Sequence, residues 1–451
     1  MPLRMKPAHL VALLVNAAAY ELLAYAVPRP AFGLLAVLMA LAFGLYWWLL
    51  KTGLPLRQGL LAALMLRLLW LPALPALSDD YHRFRWDGLL LSEGHNPYRY
   101  RPDELADPDA SSETNNQELT TIYPRLNSPH YYSVYPPVDQ AVFALAAWVA
   151  PASERGFVVA LRVLLLLAEA ATAGLLLALL RQFRQPPERA LWYLLNPLVI
   201  VELTGNLHFE GLVGCFLLLM LWLLARGRAA GGGALALAVA TKLLPLLVLP
   251  LLLRRLAWPQ LVRFGLALVA VLAALFGPFL SLELVENIGR SLNLYFRSFE
   301  FNASVYYLVR AAGKWLTGYN QIALLGPALA LMTAVGGLLL AATERRPTWA
   351  TLPRALLLLL TLYFLLATTV HPWYLAPLVM LSCFTRARYA LVWSGMAVLS
   401  YAAYRTTAYT ENLWLVTLEY TVVLAVLLLD FRQGRLSGPH PEVQLSSPQD
   451  A

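Results

Sequence analysis

Long apolar runs separated by short polar loops recur along nearly the whole chain. Three come at once, at about 8–27, 31–50 and 58–77. After a polar stretch, further spans are expected near 157–181, 190–204, 210–226, 259–280, 320–342, 353–370, 373–385, 389–404 and 412–430. Runs of this kind cross a bilayer as helices, because lipid offers no partner for an open backbone group. Residues 231–253 read as a V-shaped pair turning near Lys242 to Pro245, since one straight span would strand Arg254 and Arg255 outside. Residues 138–149 are apolar but too short to span, and are expected in the interface as an amphipathic helix. The pattern predicts an all-α polytopic membrane protein, a helical bundle of about 11–14 transmembrane segments.

Composition agrees. Of 451 residues, 59% are hydrophobic and 13% charged, with mean hydropathy +0.60, against about 25% charged in soluble domains. The net charge of +8 then reports topology, and no nucleic-acid partner is implied; membrane lipids are the expected surroundings. With Arg4 and Lys6 inside, Lys51, Arg57 and the run RQFRQPPER also fall inside, and Ser78 emerges on the far face. The first run ends in Ala24-Tyr25-Ala26, like a signal-peptidase site, but it is long and carries Asn16 and Glu21, so it reads as an uncleaved helix. Cys215 and Cys383 lie inside apolar runs, with no metal or disulfide spacing. One domain, 1–431, is expected, with extracytoplasmic segments 78–156 and 281–319, followed by a disordered cytoplasmic tail, 432–451.

The stretch SDDYHRFRWDGLLLSEGHNPY, Ser78 to Tyr98, opens the most polar segment. Ser78 is a candidate N-cap, with Asp79 and Asp80 in the first turn, where the helix dipole favours negative charge. Asp80, Arg83, Phe84, Asp87 and Leu91 follow helical spacing, so two carboxylates flank an arginine on one face. Gly94 can end the helix, and Asn96-Pro97-Tyr98 reads as a turn. Taken alone, such a helix is as well explained by capping and solubilising charges.

Its setting tips the balance. The outer ends of the spans carry most of the unusual polar residues: the tyrosine-rich segment 121–140, then Asn196, Glu202, Asn206, His208 and Glu210, then Lys242, then Arg290, Arg297, Glu300 and Asn302, and finally His371, Trp373 and Arg405. Each has an ordinary explanation, such as a snorkelling lysine or an aromatic belt. Together they outline a cavity, because polar groups at membrane depth are costly unless they line one. Aromatic faces, acids and cations around one cavity suit a sugar attached to a lipid phosphate.

At these residues the chain resembles the GT-C superfamily of integral membrane glycosyltransferases, and in particular bacterial polyprenol-phosphate-mannose-dependent mannosyltransferases. The matching motifs are Ser78-Asp79-Asp80-Tyr81, Arg83-Phe84-Arg85-Trp86-Asp87-Gly88, Gly94-His95-Asn96-Pro97-Tyr98 and Tyr135-Pro136-Pro137. The Asp80-to-Tyr98 spacing is similar to that in the first mannosyltransferase of glycolipid anchor assembly. Asn196-Pro197-Leu198, the Asn206, His208 and Glu210 run, the turn at Lys242 and His371-Pro372-Trp373-Tyr374 extend the likeness to about residue 405. Departures are Glu210 where many relatives have Asp, and an adjacent rather than separated acid pair.

The resemblance implies a GT-C-like bundle in the cell membrane. It would move a hexosyl group, mannosyl by resemblance, from a polyprenyl-phosphate sugar donor to a hydroxyl of a lipid-linked or glycan acceptor on the extracytoplasmic face, inverting in one displacement. Asp80 is the expected general base and Asp79 its alternate. Substrate-binding candidates are Asp87, Arg83, Tyr98, Tyr135, His208, Glu210, Lys242, Arg290, Arg297 and His371, with the three cations directed at the departing phosphate. No metal ligand is assigned, and a divalent cation is left open as cofactor. The alternatives are a flippase for lipid-linked sugars, which should bind near mid-membrane between matching repeats, and a non-catalytic subunit of the same fold.

Overall fold

The computed structural model describes residues 5–106, 117–406 and 409–436, without the side chains of residues 288 and 292–298. Among the described residues there is no strand, and one isolated parallel bridge, Phe301 to Thr369, stands alone. Six helices are long and apolar enough to cross a membrane: Pro7–Tyr25, Phe32–Lys51, Glu154–Gln182, Trp258–Phe279, Ile322–Thr343 and Leu413–Arg432. A pair bent by 109°, Pro197–Gly205 and Glu210–Leu224, makes a seventh crossing if taken as one broken span. The polytopic helical bundle is therefore present.

Continuous crossings are fewer than the 11–14 segments expected, because several apolar runs break. The run from 58 is helical only to Leu68. Residues 231–253 divide into Gly231–Val239, a 3₁₀ turn Leu244–Val248 and Leu249–Leu252, so the anticipated turn near Lys242 is there. Prolines 245, 372 and 377 lie at the beginnings of such pieces, where a missing N–H costs least.

Side-chain placement follows lipid logic. Leu61, Leu266, Val269 and Leu331 point outward, while Arg67, Arg162, Glu169 and Glu419 are buried within the bundle. These four side chains are all bonded. Arg67 reaches Glu169 Oε2 at 3.0 Å and the Leu194 carbonyl at 2.6 Å, and Tyr193 Oη donates to Glu169 Oε1 at 2.7 Å.

A second apolar core, shared with the start of the span Glu154–Gln182, carries the acidic motif. Phe84 stacks on Phe143 at 4.6 Å, and Phe209 meets both rings edge-on. The acid helix, Asp80–Ser92, thus packs on the expected interfacial helix, Pro137–Val149. Gly88 permits the approach, since a Cβ there would stand 2.6 Å from the Phe143 carbonyl oxygen. The long span Glu154–Gln182 begins beneath the pair, capped by Ser153 Oγ accepting from the Gly156 N–H.

Candidate active site

The acid helix starts one residue later than a Ser78 cap would have it. Asp80 is its first residue, Asp79 is the N-cap and makes no side-chain capping bond, and Ser78 Oγ accepts from the Asp80 N–H at 3.4 Å. Both carboxylates are thereby free to meet other groups. Asn127 Nδ2 donates to Asp79 Oδ1 at 3.0 Å and to Asp80 Oδ1 at 2.9 Å. Arg29, from the turn between the first two spans, lies 3.5 Å from Asp79 and 3.7 Å above the Tyr404 ring. Burial raises the Asp80 carboxyl above its ordinary value; Asp79 adds to the rise, while Asn127, Arg29 and Lys242 oppose it.

The rest of the helix is pinned. Arg83 bridges Asp87 at 2.8 Å and the Tyr131 carbonyl at 2.9 Å. Asp87, wholly buried, also accepts from Ser133 Oγ at 2.5 Å and Gln140 Nε2 at 3.0 Å. These two residues fasten segment 128–140 to the helix, and their polar atoms are turned to protein. Arg85 holds Glu118 at 2.6 Å, and Tyr81 Oη donates to Glu154 at 2.8 Å. Gly94, at φ +88°, turns the chain after the helix toward Asn96-Pro97-Tyr98. Tyr98 Oη then donates to the Tyr135 carbonyl at 2.7 Å, tying that turn to Tyr135-Pro136-Pro137. The Tyr135 hydroxyl is pushed well above its usual value by burial first, with Asp80, Asp87 and Asp139 adding to the rise.

Opposite stands a second polar group, built by the bent helix pair and the segment 371–374. Arg162 donates to the Thr204 carbonyl at 2.7 Å and the Gly205 carbonyl at 3.1 Å, answering acceptors that the helix leaves unpaired at its end. Leu207 then takes φ +66°, a strained value for leucine, and the chain reverses into Glu210–Leu224. The reversal presents Glu202, His208 and Glu210 together. Glu202 accepts from Tyr401 Oη at 2.5 Å and Asn206 Nδ2 at 3.0 Å, with His208 Nε2 at 3.5 Å. Glu210 pairs with Lys242.

The bridge between Phe301 and Thr369 sets the last side of the site. Phe301, His371, Trp373 and His208 form one continuous ring stack, with centroids 4.8, 4.4 and 3.7 Å apart. Tyr374 stands edge-on to Trp373, and Lys242 Nζ lies 5.2 Å from its ring.

The structure thus brings Asp79, Asp80, Tyr135, His208, Glu210, Lys242 and His371 into one neighbourhood. Tyr98, Arg83 and Asp87 buttress it from behind. Arg290 is exposed and lies 3.6 Å from Glu286 of its own helix, Leu282–Ser298. The Arg297 side chain lies outside the described residues. No three His, Cys, Asp or Glu side chains among the described residues are grouped to hold a metal ion.

Three neighbours escaped the sequence reading. Arg29 and Asn127 sit in loops far from the acids in sequence, and no spacing rule links them. Asp139 follows Tyr135-Pro136-Pro137 directly, yet looks like an ordinary first-turn acid. It is fully buried, and neither carboxyl oxygen has a hydrogen-bond partner among the described residues. Burial drives its pKa well up, Lys242 opposes that and Glu210 adds to it.

Residues 8–258, more than half of the chain, match the family model described as alpha-(1->6)-mannopyranosyltransferase, N-terminal domain. No curated protein matches the chain. The matched stretch holds the acid helix, Asn127, Asp139, the bent pair and Lys242, and leaves out the ring-bearing residues 301 and 371–374. A chain with this match, this helical bundle and this acid-and-cation cluster belongs to the alpha-(1->6)-mannopyranosyltransferase family.

Proposed function

We propose that this membrane mannosyltransferase takes its sugar from a polyprenyl-phosphate mannose and passes it to an acceptor hydroxyl at the extracytoplasmic face. One observation carries the reading: Asn127 gathers the Asp79 carboxyl and the half-buried Asp80 carboxyl at the start of one helix, in the polar neighbourhood that also holds Lys242. A base for the incoming hydroxyl and a cation for the departing phosphate are the two charges that a single displacement needs.

The step is balanced without a further reactant. The acceptor oxygen bonds the anomeric carbon as the bond to the phosphate oxygen breaks. The hydroxyl proton passes to Asp80, and the electron pair leaves on the lipid phosphate. Asn127 holds Asp79 and Asp80 in register, and a phosphate leaving group asks for positive charge rather than for an acid, which Lys242 supplies. Inversion fixes the stereochemistry: an α-linked product requires a β-linked donor. His371, His208 and Trp373 offer a stacked aromatic wall to the sugar. Asp87, Arg83 and Tyr98 are positioning residues.

Purified protein in lipid nanodiscs, given an acceptor extract and radiolabelled mannose as either the polyprenyl phosphate or a nucleotide diphosphate, tests the donor. Label should be lost from the lipid donor and not from the nucleotide sugar. Consumption of the nucleotide sugar with the lipid donor untouched would overturn the proposal.

A further inference from the structure

A second site lies at the other end of the bundle. Glu154, which takes the Tyr81 hydroxyl beside the acids, begins the 29-residue span Glu154–Gln182, which ends in the turn that leads to Arg189. Leu413–Arg432 runs the same way, from the Asn302 neighbourhood to Arg435. Where these ends meet, Arg189, Trp192, Arg386, Arg388, Gln433 and Arg435 line a cavity of about 400 Å³. The positive-inside reading puts this end in the cytoplasm.

Its charge is out of balance. Asp430 is the one carboxylate bonded to these arginines among the described residues, and it is already engaged. It is fully buried, pairs with Arg435 at 3.0 Å, and accepts the backbone N–H groups of Arg388 and Tyr389 at 2.6 and 2.9 Å. That engagement fixes the loop carrying Arg386 and Arg388, both exposed. Arg189 is half-buried, and burial together with the charge of Arg386 lowers its pKa, so the two guanidinium groups repel one another across the cavity. Trp47 lies 5.8 Å from Arg388 and 5.7 Å from Lys51, bringing a fifth cation to the rim. Like charges gathered on a fixed loop gain from an anion that no nearby side chain supplies. Indoles beside them place the cavity at headgroup depth.

We propose that this arginine-lined cavity binds the phosphates of a polyanionic phospholipid headgroup, at the membrane face opposite the candidate active site. Guanidinium groups match phosphate oxygens two at a time, and four of them suit a headgroup carrying two phosphates.

The test uses the full chain in phosphatidylcholine nanodiscs containing a minor fraction of cardiolipin, with co-released lipid counted by native mass spectrometry. Cardiolipin should be retained in preference to phosphatidylcholine, and the double variant R386Q/R388Q should reduce that retention roughly tenfold or more. R345Q/R346Q removes two exposed charges from the loop between Ile322–Thr343 and Leu352–Leu366 and should leave retention unchanged. Thermal unfolding of each variant separates loss of binding from loss of fold, and R386K/R388K, which keeps the charge but loses the paired donors, should recover retention only in part. Displacement of cardiolipin by inorganic pyrophosphate would keep the phosphate site and name a soluble anion as its source. Equal loss in both glutamine variants, or no preference for cardiolipin in the parent protein, overturns the proposal.

Discussion

On the proposed mechanism Asp80 serves catalysis more than the fold, and the two effects carry opposite signs. As the base it should contribute on the order of 10²–10⁴ in rate, so Asp80→Asn should lose that factor in turnover while donor binding survives. Its carboxyl sits above the ordinary value of 3.8, chiefly through burial and its neighbour Asp79 opposing Asn127. The native state therefore holds the Asp80 proton more tightly than the unfolded chain does. The stability from that proton is complete below 3.8 and is lost as pH rises through the raised native value. Asp80→Asn should accordingly melt no lower than the parent at neutral pH, and activity of the parent should fall on an acid limb lying above 3.8. A variant that melts early and keeps its turnover would make Asp80 a structural acid. Asp79→Asn should do less, because Arg29 as well as Asn127 is there to be left unpaired, which disturbs placement more than proton transfer.

At the scale of elements, the acid helix depends on its contact with Pro137–Val149. Gly88→Ala would push a methyl against the Phe143 carbonyl, an overpacking that costs about 1–3 kcal/mol. Melting temperature should drop, and turnover should drop with it as Asp80 shifts, whereas Ser92→Ala at the far end of the helix should leave both near normal. That helix was legible in sequence because periodicity and the Asp80-Arg83-Asp87 spacing act locally, and the same holds for the short interfacial helix and the turn at Lys242. Helix ends were less legible: Ser78 looks like a cap, but its Oγ takes the Asp80 N–H only at 3.4 Å. Partners brought from afar were not legible at all. Nothing local announces that Arg29 faces Asp79, or that the two oxygens of Asp139 lie buried near Lys242, since each contact is created by tertiary closure. Arg290, read in sequence as a loop cation, stands instead on the helix Leu282–Ser298 beside Glu286.

For the whole molecule, the open matter of sidedness has a direct test. Ala152→Cys lies between the interfacial helix and the long span, and Glu188→Cys lies at its other end; both positions are exposed. An impermeant thiol reagent on intact cells should label the first and spare the second, and the reverse pattern would move catalysis to the cytoplasm. Cys215 and Cys383 are buried and should stay silent. The span between those two positions has a further consequence. Its 29 residues measure about 43 Å along the axis, against a hydrocarbon layer of about 30 Å. One rod thus ties the height of the acids to the opposite leaflet, since Glu154 is bonded to Tyr81 and the other end delivers the chain to Arg189. Such a rod should make turnover depend on bilayer thickness: as acyl chains lengthen, Asp79 and Asp80 should sink toward the lipid, and on the proposed mechanism turnover should trace a maximum rather than a plateau.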